Sequence, residues 1–457
     1  MNYQNRSRLA ALVTTLAIGA ACALAYYHYN EILENHFHNL RVVMLLSFLA
    51  LVLTAIAPHF HRDKSNITPL QKSLINDSRY LLTVIPAHNE DETMFRACLD
   101  SIIRQTRQSN KIHVVENGNP GYVPKLAEIV QEYAERTVTI QDHRYVGRYR
   151  TITPNIAYSF NPQGDKRAAQ MLAVDACPGA DYIATVDSDV ELADEHCYEN
   201  GLKPFADRKV MSVCGFLTGK NHSKNLLTRL IEISFICSFL NGRASYAMLN
   251  SVGVNTGGLA FYRAFVWRKY RHHYMTHKIF GRRMSYGDDA MMTRYCLLEG
   301  KTLFQRSAHG YTLHPENMSH LRKQRVRWHR SWFWGNLWLM RTFSIRSPIW
   351  WLTFWQFLSF VFYTAVIPLA LLVGPITNLS VPWMFWVWIV GLSYVVSLPY
   401  LTAVLPTTSA RQRFVIYLLA PLSSTLNLYI GWFLRYVGMF TCLKTGWSTR
   451  KVVEVGA

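Results

Sequence analysis

The sequence predicts a central α/β domain joined to an α-helical membrane region. Between about 61 and 320, strand-like apolar runs alternate with helical patterns, the order of a parallel α/β sheet. Within that stretch, Asp187-Ser188-Asp189 follows directly on the apolar run Tyr182–Val186, as ligand-binding residues do at strand ends of such sheets. Outside it, charge nearly vanishes. Only 17% of the 457 residues are charged, against about a quarter in soluble proteins.

Taken in order, residues 1–60 predict a transmembrane hairpin of two spans. Leu9–Tyr27 and Val42–Phe60 contain no Asp, Glu, Lys or Arg, and a span needs roughly 20 such residues. Arg6, Arg8 and the small residues near Gly19 permit a signal peptide, but the long apolar run and the close second span favour an uncleaved hairpin. Arg6 and Arg8 precede the first span and Arg62 and Lys64 follow the second, whereas the loop 28–40 holds Glu31 and Glu34 and no Lys or Arg, with a single Arg41 at its far edge. This bias predicts a cytosolic N-terminus and a cytosolic central domain of an integral protein of the cell membrane.

Residues 61–320 predict the α/β domain. Leu81–Ile85 reads as the first strand, about 93–104 as a helix and Ile112–Val115 as the second strand. A second helix carries Leu126, Ile129, Val130 and Tyr133 on one face. On the strand Tyr182–Val186, the i, i+2 rule sends Asp187 and Asp189 to one side. Two close carboxylates call for a cation, and hard oxygen ligands suit Mg2+ or Mn2+; the plainer alternative is a solvated turn. Gly287-Asp288-Asp289 opens a predicted helix, where acidic residues also suit the macrodipole.

Residues 321–346 predict an amphipathic interface helix in which Gln324, Arg327 and Trp328, at i, i+3 and i+4, share one face. Ser347–Ala410 has no charged residue and predicts two further spans, with a break between Gly374 and Pro382. Residues 411–457 include the uncharged run Phe414–Leu434, which has basic residues at both ends. That pattern predicts an interfacial or re-entrant segment rather than a fifth span.

The formal charge of +19 raises the question of nucleic acid, but no RNP, zinc-finger or homeodomain pattern accompanies it. Anionic membrane lipid and an anionic substrate account for it instead. The eight cysteines contain no Cys-x-x-Cys pair, so neither a zinc site nor a disulfide framework is indicated. His272, His273 and His277 have no metal-ligand spacing. No feature calls for an obligatory protein partner.

Five motifs then stand in order: Ile85-Pro86-Ala87-His88-Asn89-Glu90, Gly164-Asp165-Lys166-Arg167, Asp187-Ser188-Asp189, Gly287-Asp288-Asp289 and Gln324-Arg325-Val326-Arg327-Trp328. In this order the chain resembles the inverting family 2 glycosyltransferases. Among them it is similar to the processive membrane synthases, which include hyaluronan synthases, rhizobial chitin-oligosaccharide synthases, type 3 capsule synthases and, more distantly, cellulose synthases. Asn225–Leu230, Gly258–Arg263 and Gly446–Lys451 look most like the hyaluronan and type 3 capsule enzymes.

The resemblance implies a GT-A-like domain that takes UDP-sugars with Mg2+ or Mn2+ and extends a β-linked polysaccharide. By resemblance, Asp289 is the general base for the acceptor hydroxyl and Asp288 its supporting neighbour. Asp189 is the direct metal ligand. Ala87, Glu116, Lys166, Arg167, Asp187 and Arg327 serve the nucleotide, and Gly257, Gly258, Gln324 and Trp328 the acceptor. Trp447 and Arg450 resemble a mobile gating loop over the nucleotide. Without the family, Lys166 and Arg167 read as a solvated charge pair and 447–450 as a loose chain end.

Three positions depart from the pattern. Glu116 stands where an Asp usually contacts the base. Thr256-Gly257-Gly258-Leu259 replaces the Ser-Gly-Pro-Leu of hyaluronan synthases. Ser448 takes the place of a glycine. A hyaluronan-type product made from UDP-GlcNAc and UDP-GlcA is the first expectation. The alternatives are a chitin-like or glucuronate-containing capsular polymer, a non-processive transfer to lipid, and a membrane protein that only binds nucleotide sugar.

Overall fold

A computed structural model describes residues 55–118, 121–141, 149–284, 286–368, 383–403 and 408–444, together with positions 49, 52–53 and 405. The predicted first span and most of the second lie outside the described residues, as do Trp447 and Arg450.

Twelve strands are described: β1 (Leu81–Ala87), β2 (Lys111–Asn117), β3 (Val138–Gln141), β4 (Tyr149–Ile152), β5 (Ile156–Asn161), β6 (Tyr182–Val186), β7 (Glu191–Leu192), β8 (Val210–Gly219), β9 (Leu259–Arg263), β10 (Lys278–Ile279), β11 (Arg282–Arg283) and β12 (Lys301–Thr312). Eight of them form one sheet in the order β5-β2-β1-β6-β9-β8-β12-β7. The half built from β5, β2, β1 and β6 is parallel, as expected. The other half is mixed, because β9 runs antiparallel to both β6 and β8.

The sheet is covered on both faces, and β1 shows how. Leu81, Ile85 and Ala87 pack into one hydrophobic cluster, while Leu82 and Val84 pack into the opposite one. In β6, Tyr182, Ala184 and Val186 face the first cluster and Ile183 the second. This is the period-2 alternation of a strand buried on both sides. The first cluster takes in Phe95, Leu99 and Ile102 of the helix Glu92–Ile103, capped by Asp91 through Met94 N. It also holds Leu126, Ile129, Val130 and Tyr133, the predicted apolar face of the helix Ala127–Glu135.

Two further helices frame the strand ends. Asp165 caps the helix Lys166–Asp175 by accepting from Arg167 N at 3.0 Å. Asn317 caps the 25-residue helix Met318–Thr342 through His320 N, which carries the predicted amphipathic segment.

The uncharged C-terminal stretch holds the helices Pro348–Pro368 and Trp383–Thr402; residues 369–382 between them lie outside the described set. Among the described residues, no helix is long and apolar enough to cross a membrane. The segment 414–434 is built in pieces: the helices Ala410–Tyr417 and Ala420–Tyr429, then a π-helical turn Ile430–Leu434. It packs on the α/β domain, where Ser423 Oγ donates to Leu230 O at 2.8 Å.

Candidate active site

A cavity of about 800 Å3 opens at the C-terminal ends of β1, β2 and β6. Ala87 and His88 line it from β1, Asn117 from β2, and Asp187 and Asp189 from the turn after β6. Gly257 and Gly258 enter ahead of β9, Asp288 and Asp289 from the start of their helix, and Gln324, Arg327 and Trp328 from Met318–Thr342. Residues scattered over 240 positions thus converge on one chamber.

One local expectation needs correction. The strand ends at Val186, and Val190 N donates to Asp187 O at 3.0 Å, closing a turn over Asp187–Val190. A turn, not strand alternation, therefore brings both carboxylates to the cavity.

Lys166 organises the charge. Its Nζ lies 2.7 Å from Asp187 Oδ1 and 3.5 Å from Asp288 Oδ2. Burial favours the neutral amine, but Asp187 and Asp288 outweigh it and hold the ammonium above its ordinary pKa. Asp288 is buried, which by itself raises its carboxyl; Lys166, Arg167 and Arg327 prevail and hold it below the ordinary value. Asp289 goes the other way. Burial first, then the charge of Asp288, push it up to about 6 despite the opposing field of Lys166. Neighbouring carboxyls driven apart in this way mark an acid–base site.

The backbone makes room for this cluster. A Cβ on Gly257 would stand 3.3 Å from Lys166 Nζ, 3.6 Å from Asp187 Oδ2 and 3.7 Å from Asp289 Oδ2, so the loop passes where three charged groups face one another. Asp289 Oδ1 accepts from Ala290 N at 2.7 Å, leaving Oδ2 on the Gly257 side. Gly287 adopts φ 68°, and a Cβ there would lie 2.5 Å from Ser331 Cβ. The helix Met318–Thr342 is thereby pressed against the turn that carries the acid pair. On that helix Trp328 is 40% exposed, with the Arg325 guanidinium 4.3 Å from its ring. Gln324 Oε1 is enclosed and accepts no hydrogen bond among the described residues.

Two expected nucleotide residues do not line the cavity. Arg167 is buried, donating to Tyr274 O at 3.0 Å and Tyr286 O at 2.9 Å. Successive helical residues point about 100° apart, so Lys166 faces the chamber and Arg167 braces the segment before Gly287. Glu116 is fully buried and accepts from the hydroxyls of Tyr122 and Tyr158 and from the amides of Lys125 and Leu126. Alternation along β2 sends Asn117, not Glu116, to the cavity.

Other cavity residues carried no usable sequence signal. Arg294 lines the chamber and donates to Asn336 Oδ1 at 3.0 Å. Tyr286 also lines it, and its hydroxyl donates to Cys442 O. Arg330 Nε donates to Thr441 Oγ1 at 3.2 Å, and its Nη1 to Lys444 O at 3.3 Å. Residues 441–444 are thereby tied to Tyr286, which precedes the Gly287 turn, and to Arg330 of the helix Met318–Thr342.

Among the described residues, no three His, Cys, Asp or Glu side chains converge as a metal-binding group. The donors fit a hard cation that completes its shell with substrate phosphates, since Mg2+ is often held by only one or two carboxylates. Lys166 holds Asp187 Oδ1, and Asp189 of the same turn lines the cavity beside it.

The model described as Glycosyl transferase family 2 matches residues 83–271, and that described as Glycosyl transferase family group 2 matches residues 182–405. The chain is 28% identical over 373 residues to a hyaluronan synthase of Streptococcus pyogenes, covering 81% of this chain and 83% of the relative. It is 29% identical over 260 residues to an N-acetylglucosaminyltransferase of Sinorhizobium fredii, covering 56% and 58%. Among solved structures, a mannosyltransferase from Pyrobaculum calidifontis in complex with GDP-Man and Mn2+ aligns with a TM-score of 0.45 and 13% identity, over 86% of this chain and 97% of that one.

Proposed function

We propose that this chain, a family 2 glycosyltransferase, is a processive inverting polymerase that joins UDP-sugars into a β-linked polysaccharide of hyaluronan type. The observation that carries the reading is the Asp289 carboxyl, raised to about 6 beside Lys166, Asp187 and Asp288. A base working near neutral pH needs such a value. Asp289 Oδ2 takes the proton of the acceptor hydroxyl as that oxygen attacks the anomeric carbon. The UDP leaves from the opposite face, so the configuration inverts. Asp288, kept anionic by Lys166, holds the ammonium in place.

Negative charge develops on the departing diphosphate. Arg327 meets it from the helix Met318–Thr342, because guanidinium suits phosphate oxygens. Asp187 positions the nucleotide through Lys166. Asp189 would hold a Mg2+ or Mn2+ ion, which when bound supplies Lewis-acid stabilisation of the diphosphate. Trp328 offers a partly exposed ring to the apolar face of the acceptor sugar, Gln324 Oε1 accepts from one of its hydroxyls, and Gly257 and Gly258 let it approach. Trp447 and Arg450 close over the nucleotide, a role favoured by the tethering of residues 441–444 to Tyr286 of the cavity and to Arg330.

The protein resides in the cell membrane with this domain in the cytosol, and its membrane helices conduct the polymer outward. The uncharged runs at both ends of the sequence support this, because a polar glycan needs a lined path through lipid.

The test is synthesis by the purified protein in lipid, with Mg2+ or Mn2+ and radiolabelled UDP-sugars offered singly and in pairs. A high-mass product that needs both UDP-GlcNAc and UDP-GlcA and yields to a hyaluronan-specific lyase is expected. Product from one donor alone would move the assignment to a chitin-like polymer, and a short lipid-linked product to a non-processive transferase. Asp289→Asn should lower turnover by a factor of about 100 to 10,000, the usual contribution of a general base, while UDP affinity is kept. Retained turnover would remove Asp289 from this role, and a protein that only binds nucleotide sugar would show no turnover to lose.

A further inference from the structure

We propose that Glu116 is a positioning residue for the nucleotide: it fixes Tyr122 behind the His88 ring, and so sets the surface on which the pyrimidine base of the donor stacks. The inference rests on the nucleotide-sugar reading above. Its starting point is the burial of Glu116, a carboxylate that cannot touch a ligand from where it lies.

A buried carboxylate is costly unless its oxygens are bonded, and here both are. Tyr122 Oη donates to Oε1 at 2.6 Å and Tyr158 Oη to Oε2 at 2.7 Å. Lys125 N and Leu126 N add bonds of 3.0 and 3.1 Å. Burial, and then the bond to Glu116, raise both phenols above their ordinary pKa, so both remain donors. The loop after β2 is thus gathered around a single side chain.

What the clamp holds is a row of rings ending at the cavity. Tyr122 stacks on Phe160 with centroids 6.4 Å apart and planes 13° apart. On the cavity side its centroid lies 5.3 Å from that of His88, which lines the chamber. His88 is fixed in turn: its Nδ1–H donates to Asn117 O at 2.6 Å. Asn89 N donates to Tyr122 Oη at 3.3 Å. No slack remains, since a Cβ on Gly118 would lie 2.7 Å from both Phe160 and Tyr122. Flat rings suit stacking on a base, and they recognise it only while held in position. Glu116 accepts the shortest hydrogen bond by which Tyr122 is tied to the sheet among the described residues.

Binding of UDP and of inorganic pyrophosphate, each with Mn2+, separates base recognition from phosphate recognition when measured by calorimetry on the full chain in detergent. Glu116→Gln and Tyr122→Phe should each weaken UDP by about tenfold, the size expected when a hydrogen bond to a charged group is lost. Pyrophosphate affinity should stay at the wild-type value, and KM for the UDP-sugar should rise with little change in kcat. Tyr158→Phe removes an equal bond from Glu116 without freeing Tyr122 and should keep UDP affinity. Unchanged UDP affinity in both variants, or a parallel loss of pyrophosphate affinity, overturns the proposal. If the wild-type protein binds UDP no better than pyrophosphate, the nucleotide-sugar reading itself fails.

Discussion

At Asp289, one residue's environment decides both rate and stability against pH. Its carboxyl is raised to about 6, and as a base it must be deprotonated. Turnover should therefore rise through about pH 6 and then level, whereas the residual rate of Asp289→Asn should lack that step; kcat/KM from about pH 5 to pH 8 reads both. The stability effect has the opposite slope. Between the ordinary value of 3.8 and about 6, the folded chain keeps a proton that the unfolded chain has lost. The stabilisation is complete below the lower value and disappears as pH rises through the upper one. Melting temperature followed from pH 4 to 7 should thus fall less in Asp289→Asn than in the wild type. Each of these side chains was visible in the sequence as a motif member. What spacing did not reveal is that Lys166 bridges Asp187 and Asp288, that Arg167 turns into the core, or that Glu116 points away from the chamber.

Among the elements, the contact between Gly287 and the helix Met318–Thr342 matters most for the site. Gly287→Ala puts a side chain at φ 68° and 2.5 Å from Ser331 Cβ. The backbone alone should cost about 1–2 kcal/mol, and the displaced helix should lower kcat by carrying Trp328 and Arg327 away from the acid pair. Denaturant midpoints and turnover measured on the same preparation check the two effects together; an unchanged kcat would mean that the helix does not position the acceptor. The strands read from apolar runs at Leu81–Ile85, Ile112–Val115 and Tyr182–Val186 recur as β1, β2 and β6, because such runs are local in the sequence. The mixed half of the sheet was not legible. β8 and β9 carry the same continuous burial as parallel strands, and direction follows from connection geometry rather than composition.

Over the whole molecule, the C-terminal segment links the site to the membrane question. Bonds from Tyr286, which lines the cavity, and from Arg330 hold residues 441–444, and 414–434 runs as short helices packed on the catalytic domain. Trp447 should therefore be reachable only from the cytosolic side. A cysteine at that position should resist an impermeant thiol reagent added to intact cells and react in inverted vesicles; labelling from outside would sink both the gating role and the predicted topology.

The sequence by itself determined the α/β class, the motif order, the charge-free runs at both ends and the identities of the acidic pairs, because periodicity, composition and residue type are local properties. Only the tertiary structure decided which members of those motifs meet. A helix turn separates Lys166 from Arg167, a strand pleat separates Glu116 from Asn117, and packing against Ser331 sets the turn at Gly287. The raised carboxyl of Asp289 is likewise a property of the assembled chamber, since burial and the charges of Asp288, Lys166 and Asp187 act on it only once distant segments have come together.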